Sequence, residues 1–201
     1  MNTLQDLANA TNYALEQHGM PKRKLSEIRQ FVGNGIRNLI SRSVVEGSNE
    51  EDIDKVLDSF KTYYAEHCKD NTNPYEGIIE ILTELKEKGV HMAIVSNKIQ
   101  SGVDNLHETW FKENISCAIG ERENVLRKPA PDMVYIAMKE LKANAEQCIY
   151  IGDSEIDVIT AHNAGLPCIC VLWGFRDKNI LKKNYGKYFV SHPKEILDFI
   201  K

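Results

Sequence analysis

Nothing in this 201-residue chain is apolar over the length a membrane-spanning helix needs, and its first residues lack the pattern of a signal peptide. We therefore expect no membrane partner and a cytoplasmic location. No run of Lys or Arg stands out, and the formal net charge is −4, which argues against a nucleic-acid surface. No two of the five cysteines (Cys68, Cys117, Cys148, Cys168 and Cys170) form a CxxC pair, and their number is odd. That disfavours a disulfide framework or a thiolate metal site and points to buried free thiols in a reducing compartment. No internal repeat or low-complexity segment is evident. What remains is ordinary for a globular protein: 42% hydrophobic and 27% charged residues, enough for one large domain or a domain with an insert.

The first third lacks strands and is rich in helical spacing. Leu4, Leu7, Ala8, Thr11, Ala14 and Leu15 mark one helix, with Thr3 and Asp6 as a capping-box-like start and Gly19 and Pro21 at its end. Ser26 to Phe31 and Ile36 to Val44 suggest two more, separated by Gly33-Asn34-Gly35. Ser48 and Glu51 read as the capping box of a fourth, whose apolar face is Ile53, Val56, Leu57, Phe60 and Tyr64. This is a small helical bundle.

The pattern changes at Asn73-Pro74-Tyr75-Glu76-Gly77, a turn-rich hinge. Beyond it helix and strand alternate. Helical patterns cover Ile78 to Lys88, Ile99 to Trp110, Pro131 to Leu141 and Ser154 to Ala164. Strand patterns cover Val90 to Val95, Ser116 to Ile119, Cys148 to Ile151, Cys168 to Leu172 and Tyr188 to Val190, and a helix started by Pro193 closes the chain. Such alternation predicts right-handed βαβ units and an α/β fold with a doubly wound parallel sheet.

The chemistry collects where strands end. Cys148-Ile149-Tyr150-Ile151 is a short apolar run that suits a strand buried on both faces, and it stops at Gly152-Asp153. Asp153 thus lies at the carboxyl end of a strand, where open α/β sheets bind ligands. Asp157 sits one helical turn on, and two carboxylates there suit a hard cation such as Mg2+. The same pair would equally cap and charge the start of a helix. Ser96 and Asn97 follow Val95 with a hydroxyl and an amide that can hold an anionic oxygen, or simply cap a helix. Lys128, in Arg127-Lys128-Pro129-Ala130-Pro131-Asp132, can aim one positive charge at a phosphate, although a lone Lys before Pro is usually a solvated loop residue. A hydroxyl, an ammonium and two carboxylates in this order would together suit a Mg2+-bound phosphoryl group.

These motifs resemble those of the haloacid dehalogenase-like phosphatases, specifically the phosphoglycolate phosphatase branch with a helical cap. Val95-Ser96-Asn97 is similar to the second motif of that family, Lys128-Pro129 to the third, and Gly152-Asp153-Ser154 with Asp157 to the fourth. Asn163-Ala164-Gly165, Trp173-Gly174, Phe31-Val32-Gly33-Asn34-Gly35 and Pro74-Tyr75-Glu76-Gly77 also fit, so the resemblance covers essentially the whole chain. It implies a Rossmann-like core over residues 73–201 and a helical cap over 3–72, residues 1–15 forming its start. It implies a Mg2+-dependent phosphomonoester hydrolase acting on a small phosphorylated metabolite through an aspartyl-phosphate. Ser96 and Lys128 would hold the phosphoryl oxygens, Asp153 would ligate Mg2+, and Asp157 would support the metal or its waters. Asn97, Asn34, Arg37, Gly152 and Ser154 would face substrate, Arg37 as the cap cation for a substrate carboxylate.

One departure stands out. The family's first motif, DxDGTxxD/N-S/T in form, carries the nucleophilic and acid/base aspartates, and Met1-Asn2-Thr3-Leu4-Gln5-Asp6-Leu7 matches only its tail. The expectation is that a first core strand and its Asp loop, about a dozen residues, are absent, leaving the chain inactive by itself. Two other classes compete. One is a non-catalytic protein that keeps the phosphate cradle for binding. The other is a phosphorelay receiver, which needs no helical insert and carries its acidic pair early in the chain; the order here is wrong for it.

Overall fold

The computed structural model describes residues 1–33 and 35–200. It divides into two compact units, Met1–Tyr75 and Glu76–Lys201, the boundary falling inside the predicted hinge. Asn34, expected to face substrate, lies outside the described residues.

The first unit is built from α1 (Leu4–Gln17), α2 (Leu25–Phe31), α3 (Ile36–Ser43) and α4 (Glu50–His67). The apolar stripes place α1 against α4. Ala10, Ala14, Leu15, Val56 and Phe60 have no exposed surface, and the predicted face of α4 is buried from Ile53 to Phe60, with Tyr64 packed partly against it. Both predicted capping boxes need correction. Thr3 occupies the N-cap of α1 without a side-chain bond. The buried Asp6 carboxylate instead accepts from the Asn71 backbone N–H (2.9 Å), the Asn71 amide (2.8 Å) and the Thr72 hydroxyl (2.7 Å), tying the start of the unit to its end. A short bridge between Asn2 and Asn73 adds to that closure. At α4 the box is Asn49 with Asp52, one residue later than read, because Ser48 Oγ donates back to the Val45 carbonyl.

The second unit runs α5 (Ile78–Glu87), β1 (Ala93–Ile99), α6 (Gln100–Leu106), β2 (Cys117–Glu121), α7 (Asp132–Glu140), β3 (Tyr150–Gly152), α8 (Glu155–Asn163), β4 (Cys168–Val171), α9 (Lys178–Lys183) and β5 (Tyr188–Val190). Every strand pair is parallel, as alternation with helices demands. The strands lie in two sheets, β1-β2 and β3-β4-β5, rather than one continuous sheet. β4 is central in its sheet and buried at every position, Cys168, Ile169, Cys170 and Val171. β3 departs from expectation. As an edge strand it buries Tyr150 but leaves Ile151 40% exposed, so it is not covered on both faces. Gly165, at φ +73°, ends the turn after α8 as its sequence position predicted. The short helix α9 was not foreseen.

Candidate functional site

β1 pairs regularly with β2 only from Ala93 to Val95, and a bulge follows up to Ile99. Ser96 and Asn97 fall inside that irregular stretch, where ladder bonding stops and side chains take over. Ser96 Oγ accepts the Lys98 backbone N–H at 3.1 Å. The Asn97 amide donates to the Lys128 carbonyl at 2.9 Å, while its oxygen accepts the Lys128 N–H at 2.8 Å. This reciprocal pair brackets the Lys128 backbone.

The Lys128 ammonium is held by three acceptors: Asp157 Oδ1 at 2.7 Å, the Val95 carbonyl at 3.2 Å and the Tyr150 hydroxyl at 3.4 Å. An ammonium has three donors, so all are engaged. No backbone bridge joins β1 to β3 among the described residues, and this one side chain links a carbonyl of the first strand to a hydroxyl of the second.

Ser154 is the N-cap of α8 and shares a capping box with Asp157. Asp157 Oδ2 accepts the Asp153 N–H (3.2 Å), the Ser154 N–H (3.1 Å) and the Ser154 hydroxyl (2.6 Å), and Oδ1 accepts Lys128 and Tyr150. Both oxygens are therefore occupied, and the side chain is 9% exposed. The helix-capping role and the ion-pair role coexist in one residue. Gly152 makes this possible, because a Cβ there would sit 2.2 Å from Asp157 Cβ.

Burial opposes the charge on each partner, but the mutual attraction wins. Burial alone would lower the Lys128 pKa, yet Asp157 and Tyr150 hold it above the ordinary lysine range. Burial alone would raise Asp157, yet Lys128 and the capping donors hold it below the ordinary carboxylate range. Asp153 behaves oppositely. Burial first, and then the neighbouring Asp157 charge, push its pKa up, only partly offset by the Phe175 N–H. Asp153 Oδ2 accepts that N–H at 2.8 Å.

A buried lysine–aspartate pair, a second carboxylate whose charge is disfavoured by burial and by Asp157, and a hydroxyl at the end of a parallel strand form one connected network. The family model described as haloacid dehalogenase-like hydrolase matches residues 1–171.

The chain belongs to that family.

Phosphoglycolate phosphatase 1 of Pseudomonas aeruginosa is 30% identical over 204 aligned positions, covering 98% of this chain and 74% of that protein. The phosphoglycolate phosphatase of Thiobacillus denitrificans is 30% identical over 181 positions, covering 87% and 79%. A crystal structure from Lactobacillus delbrueckii subsp. bulgaricus, provisionally assigned as a phosphoglycolate phosphatase, superposes with a TM-score of 0.92 at 35% identity and covers 99% of this chain and 92% of its own. The α/β fold with parallel strands is thus the haloacid dehalogenase-like one.

Of the residues singled out in the sequence, the network joins Asn97, Lys128, Gly152, Asp153, Ser154 and Asp157, with Ser96 one residue from the carbonyl that Lys128 grips. Arg37, in α3 of the helical unit, is engaged by Asp54 and Glu50 of α4. Tyr150 was missed. Its hydroxyl meets both Lys128 and Asp157 from inside a strand read only as apolar, and a tyrosine so placed needs a partner, which was the available signal. Glu155, Phe175 and Arg176 were also missed. No group of three or more His, Cys, Asp or Glu side chains able to hold a metal occurs among the described residues. Mg2+ does not require one: it keeps several waters and commonly binds through one or two carboxylates plus substrate phosphate. Asp153, with Oδ2 engaged by the Phe175 N–H, fits that pattern.

Proposed function

We propose that this haloacid dehalogenase-like chain holds the phosphoryl group and cation of a phosphomonoester hydrolase of the phosphoglycolate phosphatase type. The observation that carries the reading is the buried Lys128–Asp157 pair set beside Asp153, whose backbone N–H donates to Asp157 and whose Oδ2 accepts the Phe175 N–H. Lys128 receives a phosphoryl oxygen by exchanging its longest contact, the 3.4 Å one to Tyr150, while Asp157 keeps its charge oriented. Ser96 donates its hydroxyl to a second oxygen. Asp153 supplies a carboxylate oxygen to Mg2+, and Asp157 supports it through the Asp153 N–H rather than as a direct ligand. Mg2+ bound there would neutralise charge developing on the phosphoryl oxygens. Arg37 would reach a substrate carboxylate only by releasing Asp54 and Glu50.

Neither carboxylate of the network is free to attack phosphorus: both Asp157 oxygens are engaged, and Asp153 is the cation ligand. Asp6, the one acid in the segment that resembles the tail of the first motif, is bound to Asn71 and Thr72. By the resemblance, the attacking aspartate would stand in a strand ending in Asp-x-Asp-Gly-Thr beside β3. The test compares phosphate release from p-nitrophenyl phosphate and phosphoglycolate, with and without Mg2+, by the 201-residue chain and by the same chain preceded by such a strand. Negligible turnover is expected from the first. Turnover by the second should vanish in Lys128→Met and Asp153→Asn. Activity of the shorter chain that disappears in Asp153→Asn would refute the assignment of the nucleophile. An extended protein that binds phosphate yet releases none would favour the non-catalytic binding protein instead.

A further inference from the structure

The loop that follows β4 touches Asp153 in three ways. The Phe175 N–H donates to Asp153 Oδ2 at 2.8 Å, and the Arg176 N–H donates to the Asp153 carbonyl at 3.2 Å. Gly174 lies so close that a Cβ there would stand 2.0 Å from Oδ2, so only glycine lets the loop approach. The loop is itself fastened. Arg176 is 7% exposed, and its guanidinium grips Glu155, the first residue of α8, through Nε to Oε2 at 2.6 Å and Nη2 to Oε1 at 3.2 Å. A forked contact of this kind fixes the plane of both groups as well as their distance. Glu155 is two residues beyond Asp153, so the pair closes the loop over the turn that carries the carboxylate.

We infer that Arg176 and Glu155 are positioning residues that latch Gly174–Phe175 onto Asp153, engaging Oδ2 with a backbone N–H and reserving Oδ1 for a hard divalent cation. This rests on the reading of Asp153 as the cation ligand. A carboxylate already held by one oxygen loses little freedom when the other binds, and outer partners of this kind orient a metal ligand.

The test follows the Phe175 amide resonance in 15N-labelled protein as Mg2+ is added in the presence of inorganic phosphate. It uses wild type, Asp153→Asn, Arg176→Gln, Glu155→Gln and the charge-exchanged double variant Glu155→Arg with Arg176→Glu. Wild type should show a saturable shift, and Asp153→Asn should abolish it. Arg176→Gln and Glu155→Gln should weaken Mg2+ binding about tenfold, with partial recovery in the exchanged variant. Phosphate affinity without Mg2+, set by Lys128 and Ser96, should stay unchanged in all latch variants. A purely structural pair would lower the melting temperature and leave Mg2+ affinity of the folded molecules alone. Glu155→Gln, which keeps a neutral acceptor for the fork, decides the matter if Arg176→Gln does not fold. No response in wild type, or an undiminished one in Asp153→Asn, overturns the cation reading and the latch with it. A wild-type response lost in Asp153→Asn but unaltered in Glu155→Gln overturns the latch alone.

Discussion

Replacing Asp157 by Asn tests the centre of the network. The side chains of Lys128 and Asp157 are 12% and 9% exposed, so solvent screens their interaction little. Removing one charge of a buried pair costs about 3–5 kcal/mol, chiefly because the other is left uncompensated. Asn keeps the size of Asp and one acceptor, which places the loss near the lower end, about 3 kcal/mol. For a unit of this size that corresponds to a fall in melting temperature of roughly 10 °C. Adding Lys128→Met should recover part of the loss, since the orphaned ammonium is then gone. The pH dependence has a definite sign. Asp157 titrates below the ordinary carboxylate value in the folded state, so its stabilisation is complete above about pH 4 and is lost as pH falls through the folded value. Lys128 titrates above the ordinary lysine value, so its share is complete below about pH 10 and is lost only as pH climbs through the folded value. Thermal unfolding followed by circular dichroism across that range should show a plateau whose acid limb flattens in the variant. A loss under about 1 kcal/mol, typical of an exposed pair, would refute the claim that this charge pair is desolvated and central.

Asp153→Asn should raise the melting temperature at neutral pH. Burial and Asp157 raise the Asp153 pKa, so the folded state holds its proton more tightly than the unfolded one and loses relative stability as pH rises through the folded value; a neutral amide removes that penalty. An unchanged or lower melting temperature at pH 7, with the wild-type pH profile retained, would contradict this. Gly152→Ala should cost about 3 kcal/mol or more in urea unfolding, because the new Cβ collides with Asp157 Cβ; full-strength folding would mean that the strand end yields freely. Asn97→Ala should cost about 2 kcal/mol, the net worth of two hydrogen bonds, and should weaken inorganic phosphate binding measured by calorimetry, since the Lys128 backbone is then unbracketed.

Local pattern was enough for much of this protein. Helical periodicity identified the buried face of α4 from Ile53 to Phe60, and alternation of apolar runs with helices identified a parallel α/β unit beyond Tyr75. The strand-to-helix break at Gly152-Asp153 and the stop at Gly165 were legible because both depend on neighbours within a turn or two. The network around Lys128 was legible only as an order of residue types. That Lys128 meets Asp157, Val95 and Tyr150, that Asn97 grips its backbone, and that Asp6 closes onto Asn71 and Thr72 depend on segments 22 to 66 residues apart. No periodicity carries that information. Tyr150 looked apolar because its strand is apolar, and its hydroxyl acquired a role only when tertiary packing brought an ammonium and a carboxylate to it. The same holds for Arg176. In sequence it is an ordinary charged residue after a turn; folding buries it against Glu155, where leaving its charge unpaired would be costly, and so makes the loop a fixed partner of Asp153.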